Sequence, residues 1–197
     1  MGDETPDESE NLGKFIFSND SGTRKMGLAM AKGLNSTESQ IMIKALARWD
    51  PVIGSDAELL IEELGIDNEW TEDDEYEIIE DMLKNKPSDI LWHILQSQGI
   101  LTNHNSEYTP ESADLDTLHG IIDVLADDEA NKIRLLGLLN NGPHHYDIIF
   151  GVIRKAVEKK WEEVIPILFE LIKDDWNDSH IKDEAREGLE SFGKEAP

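Results

Sequence analysis

Residues 159–193 of this chain set two amphipathic helical patterns back to back, and this constrains the fold more than any other feature. Trp161, Val164, Ile165, Leu168, Leu171 and Ile172 fall at i, +3, +4, +7, +10 and +11, one stripe of a helix. After a polar break at residues 174–179, Ile181, Ala185, Leu189 and Phe192 make a second stripe. Gly193 follows where a helix C-cap is expected. Two helices joined by a short turn form an αα-hairpin, and neither buries its stripe alone. Such a unit belongs in a stack, and stacked helical hairpins more often present surfaces to partners than carry chemistry.

The rest of the chain reads in the same way. Residues 1–10 are acidic and nearly devoid of apolar side chains, which predicts a disordered tail ahead of one helical domain over 11–197. Residues 12–17 and 23–34 predict the first two helices. Ser36 or Thr37 caps the next, which carries Ile41, Ile43, Ala45, Leu46 and Trp49 and stops at Asp50-Pro51. Ser55 is positioned to cap a helix over 56–64 in which Leu59, Leu60 and Leu64 face inward and Gly65 ends the run. Further helices are expected over 75–84, 89–98, 111–126, 130–139 and 144–158. Glycines at 33, 65, 99, 142 and 193 punctuate the pattern with gaps of 32, 34, 43 and 51. The first two gaps fit one repeat each, and the last two imply additional elements. No β-pattern appears, so the expected fold is all-α: stacked antiparallel helical hairpins, an α-solenoid of about ten helices.

Charge narrows the function. Forty-three acidic against eighteen basic residues leave a formal net charge of -25. Phosphate backbones and anionic membranes attract clustered Lys and Arg, and only Lys155, Lys159 and Lys160 gather here. A basic protein, or a basic patch on a larger assembly, is the expected partner, with no direct nucleic acid and no membrane. The acidity could equally be plain solvation of a chain from salty cytoplasm, although thirteen Lys against five Arg speak against extreme halophily. The absence of cysteine excludes disulfides, thiolate metal sites and Cys nucleophiles. No apolar run approaches a membrane span and no signal-peptide pattern opens the chain, so a cytoplasmic protein is expected.

Enzyme signatures fail. The phosphate loop, the nucleophile elbow, the H-E-x-x-H helix, the dinucleotide turn and the EF-hand spacing are all missing. The many carboxylate pairs (Glu62/Glu63, Asp127/Asp128, Asp174/Asp175) are what any solvated face of so acidic a chain displays. His144-His145-Tyr146-Asp147 is the best local grouping for metal or acid/base work. Adjacent helical side chains diverge by about 100°, however, so both imidazoles meet one ion only where the chain is irregular. The other reading of the group is polar residues on a first helical turn. His93 and His119 read as core-edge residues. Trp70 and Trp176 sit in acidic loops, where they either anchor an interface or fold back over the neighbouring hairpin. The candidate partner-binding residues are therefore Trp70, Trp176, His144, His145 and Tyr146. No catalytic residue, cofactor or metal is expected.

The C-terminal spacing also resembles a known family. Val164-Ile165-Pro166-Ile167-Leu168, then Leu171-Ile172-Lys173-Asp174, then Ile181-Lys182 with Ala185, Gly188 and Leu189, is similar to a HEAT repeat of the PBS-lyase type. A weaker copy, Asn19-Asp20-Ser21-Gly22-Thr23-Arg24 with Gly27, Met30 and Ala31, repeats the turn and second-helix spacing. The turns at Asp50-Pro51 and Lys86-Pro87 lack the family's basic residue at that offset. The resemblance implies a non-enzymatic interaction or adaptor module that binds partners on its second helices. Two other roles stay open: an acidic mimic of nucleic acid that blocks a DNA- or RNA-binding protein, and a lyase-like or cofactor-handling accessory.

Overall fold

The computed structural model of the protein describes residues 8–67, 69, 72–99, 115–140, 146–174, 177 and 179–197. These residues are all-α, with eleven helices and no strand among them. They group into two compact units, Met1–Ile94 and Leu95–Pro197.

The first unit holds α1 (Glu8–Ile16), α2 (Ser21–Leu34), α3 (Thr37–Trp49), α4 (Gly54–Leu64), α5 (Glu72–Asn85) and the start of α6 (Ser88–Gly99). α1 opens at Glu8, inside the acidic segment that precedes the apolar pattern. It packs on α2, and α3 packs on α4, while α1, α3 and α5 touch one another. The even-numbered helices begin at Ser21, Gly54 and Ser88, a nearly constant step along the chain. Leu12, Ile16, Phe17, Ile43, Leu46, Ile53, Met82 and Ile90 are among the apolar side chains in its core.

The second unit holds α7 (Leu115–Ala126), α8 (Glu129–Leu138), α9 (Tyr146–Glu158), α10 (Val164–Lys173) and α11 (Ser179–Ser191). α9 packs against both α7 and α11, α8 against α7 and α9, and α10 against α11. Leu168 and Leu189, from the two terminal stripes, are both fully buried, and a methyl at Gly188 would stand 3.0 Å from Leu168 Cδ1. The terminal hairpin thus closes on the two faces the sequence indicates.

Helix boundaries follow capping chemistry. Asp20 caps α2 by accepting from the Thr23 N–H at 2.7 Å and the Thr23 hydroxyl at 2.9 Å. Ser36 caps α3 through the Ser39 N–H, as expected, and Asp128 caps α8 through the Ala130 N–H. Ser55 does not cap α4. That helix opens two residues earlier than expected, at Gly54, and the Asp50 carboxylate takes the Val52 and Ile53 N–H groups instead.

Glycine marks the helix ends only in part, which explains the irregular gaps. Gly65 closes α4 in the left-handed region, with Ile66 N–H reaching back to Ile61 C=O. Asn35, Lys86 and Lys160 adopt positive φ without being glycine. Lys160 N–H bonds Val157 C=O and Trp161 N–H bonds Ala156 C=O, which makes a Schellman motif with Lys160 in the glycine's place. Trp161 thus follows the cap of α9, and its carbonyl accepts the Val164 N–H in the turn that leads into α10. Its ring is buried as the apolar residue that follows such a cap. Gly193 ends α11 in the same way, so the caps of α9 and α11 are equivalent although only one is a glycine.

Candidate partner-binding surface

Cations in this chain are largely engaged from within. At least ten of the eighteen Lys and Arg side chains make ion pairs: Arg24, Lys25, Lys32, Lys84, Lys132, Arg154, Lys155, Lys159, Lys173 and Arg186. Several of these pairs reach across to an element about one repeat away. Lys32 meets Glu63 and Lys132 meets Glu163 in this way, and Lys25 meets Asp56 alongside the first of them. Lys159 to Asp127 and Lys155 to Asp123 do the same in the second unit, as does Arg154 to Glu184. The Glu163 hydrogen bond holds the Lys132 ammonium above its usual pKa, and the same contact holds Glu163 below the usual carboxylate range. Burial works against the Lys155 charge, but Asp123 and Glu158 outweigh it and raise its pKa. With the cations held in this way, the excess carboxylates dominate the surface charge.

One cation is fully enclosed. The Arg24 guanidinium donates to Asp50 through Nε at 2.6 Å, to Asp89 through Nη2 at 2.6 Å, and to the Ser18 carbonyl through Nη1 at 2.8 Å. Arg24 and Asp50 side chains are both 0% exposed, whereas Asp89 is 38% exposed. Desolvation opposes the Arg24 charge, yet the two carboxylates overcome it and raise the pKa above the ordinary arginine value. A single arginine thus ties the turn before α2 to the turn before α4 and to the first turn of α6. The two later turns, which lack a basic residue at the matching offset, share the one that follows the first.

The exposed apolar residues are concentrated. Of the described residues, Met26, Met30, Leu34, Val52, Leu59 and Ile133 are the large hydrophobics left open to solvent, three of them on α2. Sequence spacing puts Leu59 toward the core, but it is 65% exposed, because Ala57, Leu60 and Ile61 supply the buried side of α4. Between α2 and α4 runs a cleft of about 270 Å³ lined by Leu28, Ala29, Leu59 and Leu60. The Lys25–Asp56 and Lys32–Glu63 pairs line it as well.

Of the residues the sequence nominates, Trp70, Trp176, His144 and His145 lie outside the described residues. Tyr146 opens α9 and its side chain lies outside them too. Asp147, the last member of that grouping, is buried. His93 and His119 sit at the core edge, and the His119 Nε2 is enclosed without a hydrogen-bond partner. Among the described residues no three His, Asp or Glu side chains converge to hold a metal ion, and no helix is long and apolar enough to cross a membrane. Sequence reasoning placed Arg24 in the HEAT-like turn spacing but missed its two carboxylate partners, and it missed the α2–α4 cleft. The signal for the first was present in Asp50 and Asp89, acidic residues set beside successive turns. The signal for the second was the absence of any acid from residues 21–34 of so acidic a chain.

Comparison of the chain with protein-family models, with curated proteins and with solved structures returns no match.

Proposed function

We propose that this protein is a non-enzymatic interaction module that binds a basic protein, or the basic patch of a larger assembly, through the exposed faces of its second helices. The observation that carries the reading is the internal pairing of cations in a chain of net charge -25, which leaves carboxylates as the dominant free charge. A surface of that kind speeds encounter with a positive partner and repels nucleic acid and anionic membrane. The HEAT-like spacing at the C-terminus agrees with such a role, since repeat stacks of this class expose extended surfaces.

The test is capture of partners from native lysate on the immobilised full chain, washed in steps from about 50 to 500 mM salt. The expected result is a stoichiometric basic protein that survives the modest-salt washes in which generic basic proteins leave. Release of that protein by added DNA would mark the acidic surface as a nucleic-acid mimic. A mixed set of basic proteins, all lost together at modest salt, would mean that the acidity is only solvation.

A further inference from the structure

Among the described helices α2 alone contains no Asp or Glu. It also carries the densest exposed apolar surface. Met26, Met30 and Leu34 stand at i, +4 and +8, a strip about 12 Å long at the helical rise of about 1.5 Å per residue. Ala29 and Gly33, also exposed, lie on the same side and keep it flat. Ala29 joins this strip to the α2–α4 cleft, where Leu59 projects from the other wall. Leu59 sits amid Glu58, Glu62 and Glu63, all exposed, so the apolar surface has an acidic border on its α4 side.

The two ion pairs define the length of the seat. Lys25 and Lys32 on α2 are separated by the same stretch of helix as Asp56 and Glu63 on α4. Two helical turns, about 10.5 Å, therefore separate the brackets. The opening is smaller than the roughly 300–1,000 Å³ of small-molecule sites. Its shape suits side chains projecting from a helix laid along the groove. A second copy of this chain is a poor occupant, because each copy carries a net charge of -25. The acidic border requires positive charge on the occupant, and the apolar strip requires an apolar stripe.

We infer that the α2–α4 face is the docking site for an amphipathic helix of the partner, apolar on one side and flanked by Lys or Arg. This rests on the proposed binding of a basic protein and specifies where on the chain it occurs and what form it takes. Apolar anchors at i, i+3, i+4 and i+7 enter the cleft and cover Met26 and Met30. The flanking cations reach Glu58 and Glu62.

The methionines supply the readout. Met26 and Met30 are exposed while Met42 and Met82 are buried, so methyl-labelled methionine places two reporters at the site and two controls in the core. The full chain is titrated with a synthetic Leu/Lys peptide that forms a helical apolar stripe, and with a scrambled peptide of the same composition. The expected result is movement of the Met26 and Met30 methyl signals, no movement of Met42 and Met82, and a roughly tenfold preference for the striped peptide. Leu59→Ser combined with Met30→Ser, both at exposed positions, should abolish that preference while the helical circular dichroism stays unchanged. Equal binding of both peptides, with Met26 and Met30 silent, would overturn this docking site and leave the proposed function standing. Failure of both peptides to bind at about 50 mM salt would overturn both.

Discussion

The Arg24 Nε stands 2.6 Å from the Asp50 Oδ2 with both side chains sealed from solvent, while the same guanidinium reaches the half-exposed Asp89 at 2.6 Å. The two bonds match in length and differ in surroundings, so they should differ in consequence. Removing one partner of a buried pair strands the other, at a cost of about 3–5 kcal/mol. Asp50→Ala is expected to cost that much, the more so because it also uncaps the Val52 and Ile53 N–H groups. Asp89→Ala should cost clearly less, since water can replace the lost carboxylate. Urea denaturation of the two variants gives the order directly.

Gly27 permits close approach of α1 and α2. A Cβ there would meet the Ile16 backbone nitrogen at 2.7 Å and the Ile16 Cγ1 at 2.9 Å. Helix propensity alone favours Ala over Gly by about 1 kcal/mol. Gly27→Ala is nevertheless expected to destabilise, because the nearest atom is backbone and cannot turn aside. Gly33→Ala, with nothing near the added methyl, should be neutral or stabilising. The contrast in thermal midpoint between these two variants checks the packing of α1 on α2.

Leu168 and Leu189 are both fully enclosed in the terminal hairpin. Truncation of either to alanine should cost about 2–5 kcal/mol. Because stability in a stack is summed from neighbouring units, α10 and α11 can melt apart from the remainder. Denaturation curves unchanged by both substitutions would mean that the helix faces are wrongly assigned.

Two electrostatic effects oppose each other on acidification. The net charge of -25 destabilises the compact state by self-repulsion, and that repulsion weakens as pH falls from 7 toward the isoelectric point near 4.4. Against it stand carboxylates whose pKa values are depressed on folding: Asp20 by the Thr23 backbone and hydroxyl, Glu158 by Lys155, Glu163 by Lys132. A depressed carboxylate contributes stability that is complete above its ordinary value, 3.8 for Asp20 and 4.5 for the glutamates, and is lost as pH drops through the folded value. Stability should therefore rise from pH 7 to about 5 and fall below about 4. At pH 7 added salt should raise the melting temperature, since exposed pairs contribute little and screening removes more repulsion than attraction. Urea midpoints at three pH values, with and without salt, test both statements.

The helical periodicity is legible because it is a property of single segments. Leu168, Leu189, Ile43 and Leu46 announce their burial through spacing alone. What escapes depends on partners distant in sequence or on caps without their usual residue. Lys160 fills a glycine's role at the end of α9, and nothing in its residue type announces that cap. Leu59 fits an apolar stripe but faces solvent, since its neighbours satisfy α4's buried side and the cleft toward α2 needs a wall. Arg24 is an ordinary helix residue until Asp50 and Asp89, 26 and 65 positions away, close on it.

Association kinetics of the captured basic partner with the full chain, followed as salt rises from about 50 to 500 mM, tests the central claim most directly. The account predicts that the association rate falls steeply while the dissociation rate changes little, because exposed carboxylates act mainly on encounter. An association rate indifferent to salt, or a salt dependence carried wholly by dissociation, would contradict it.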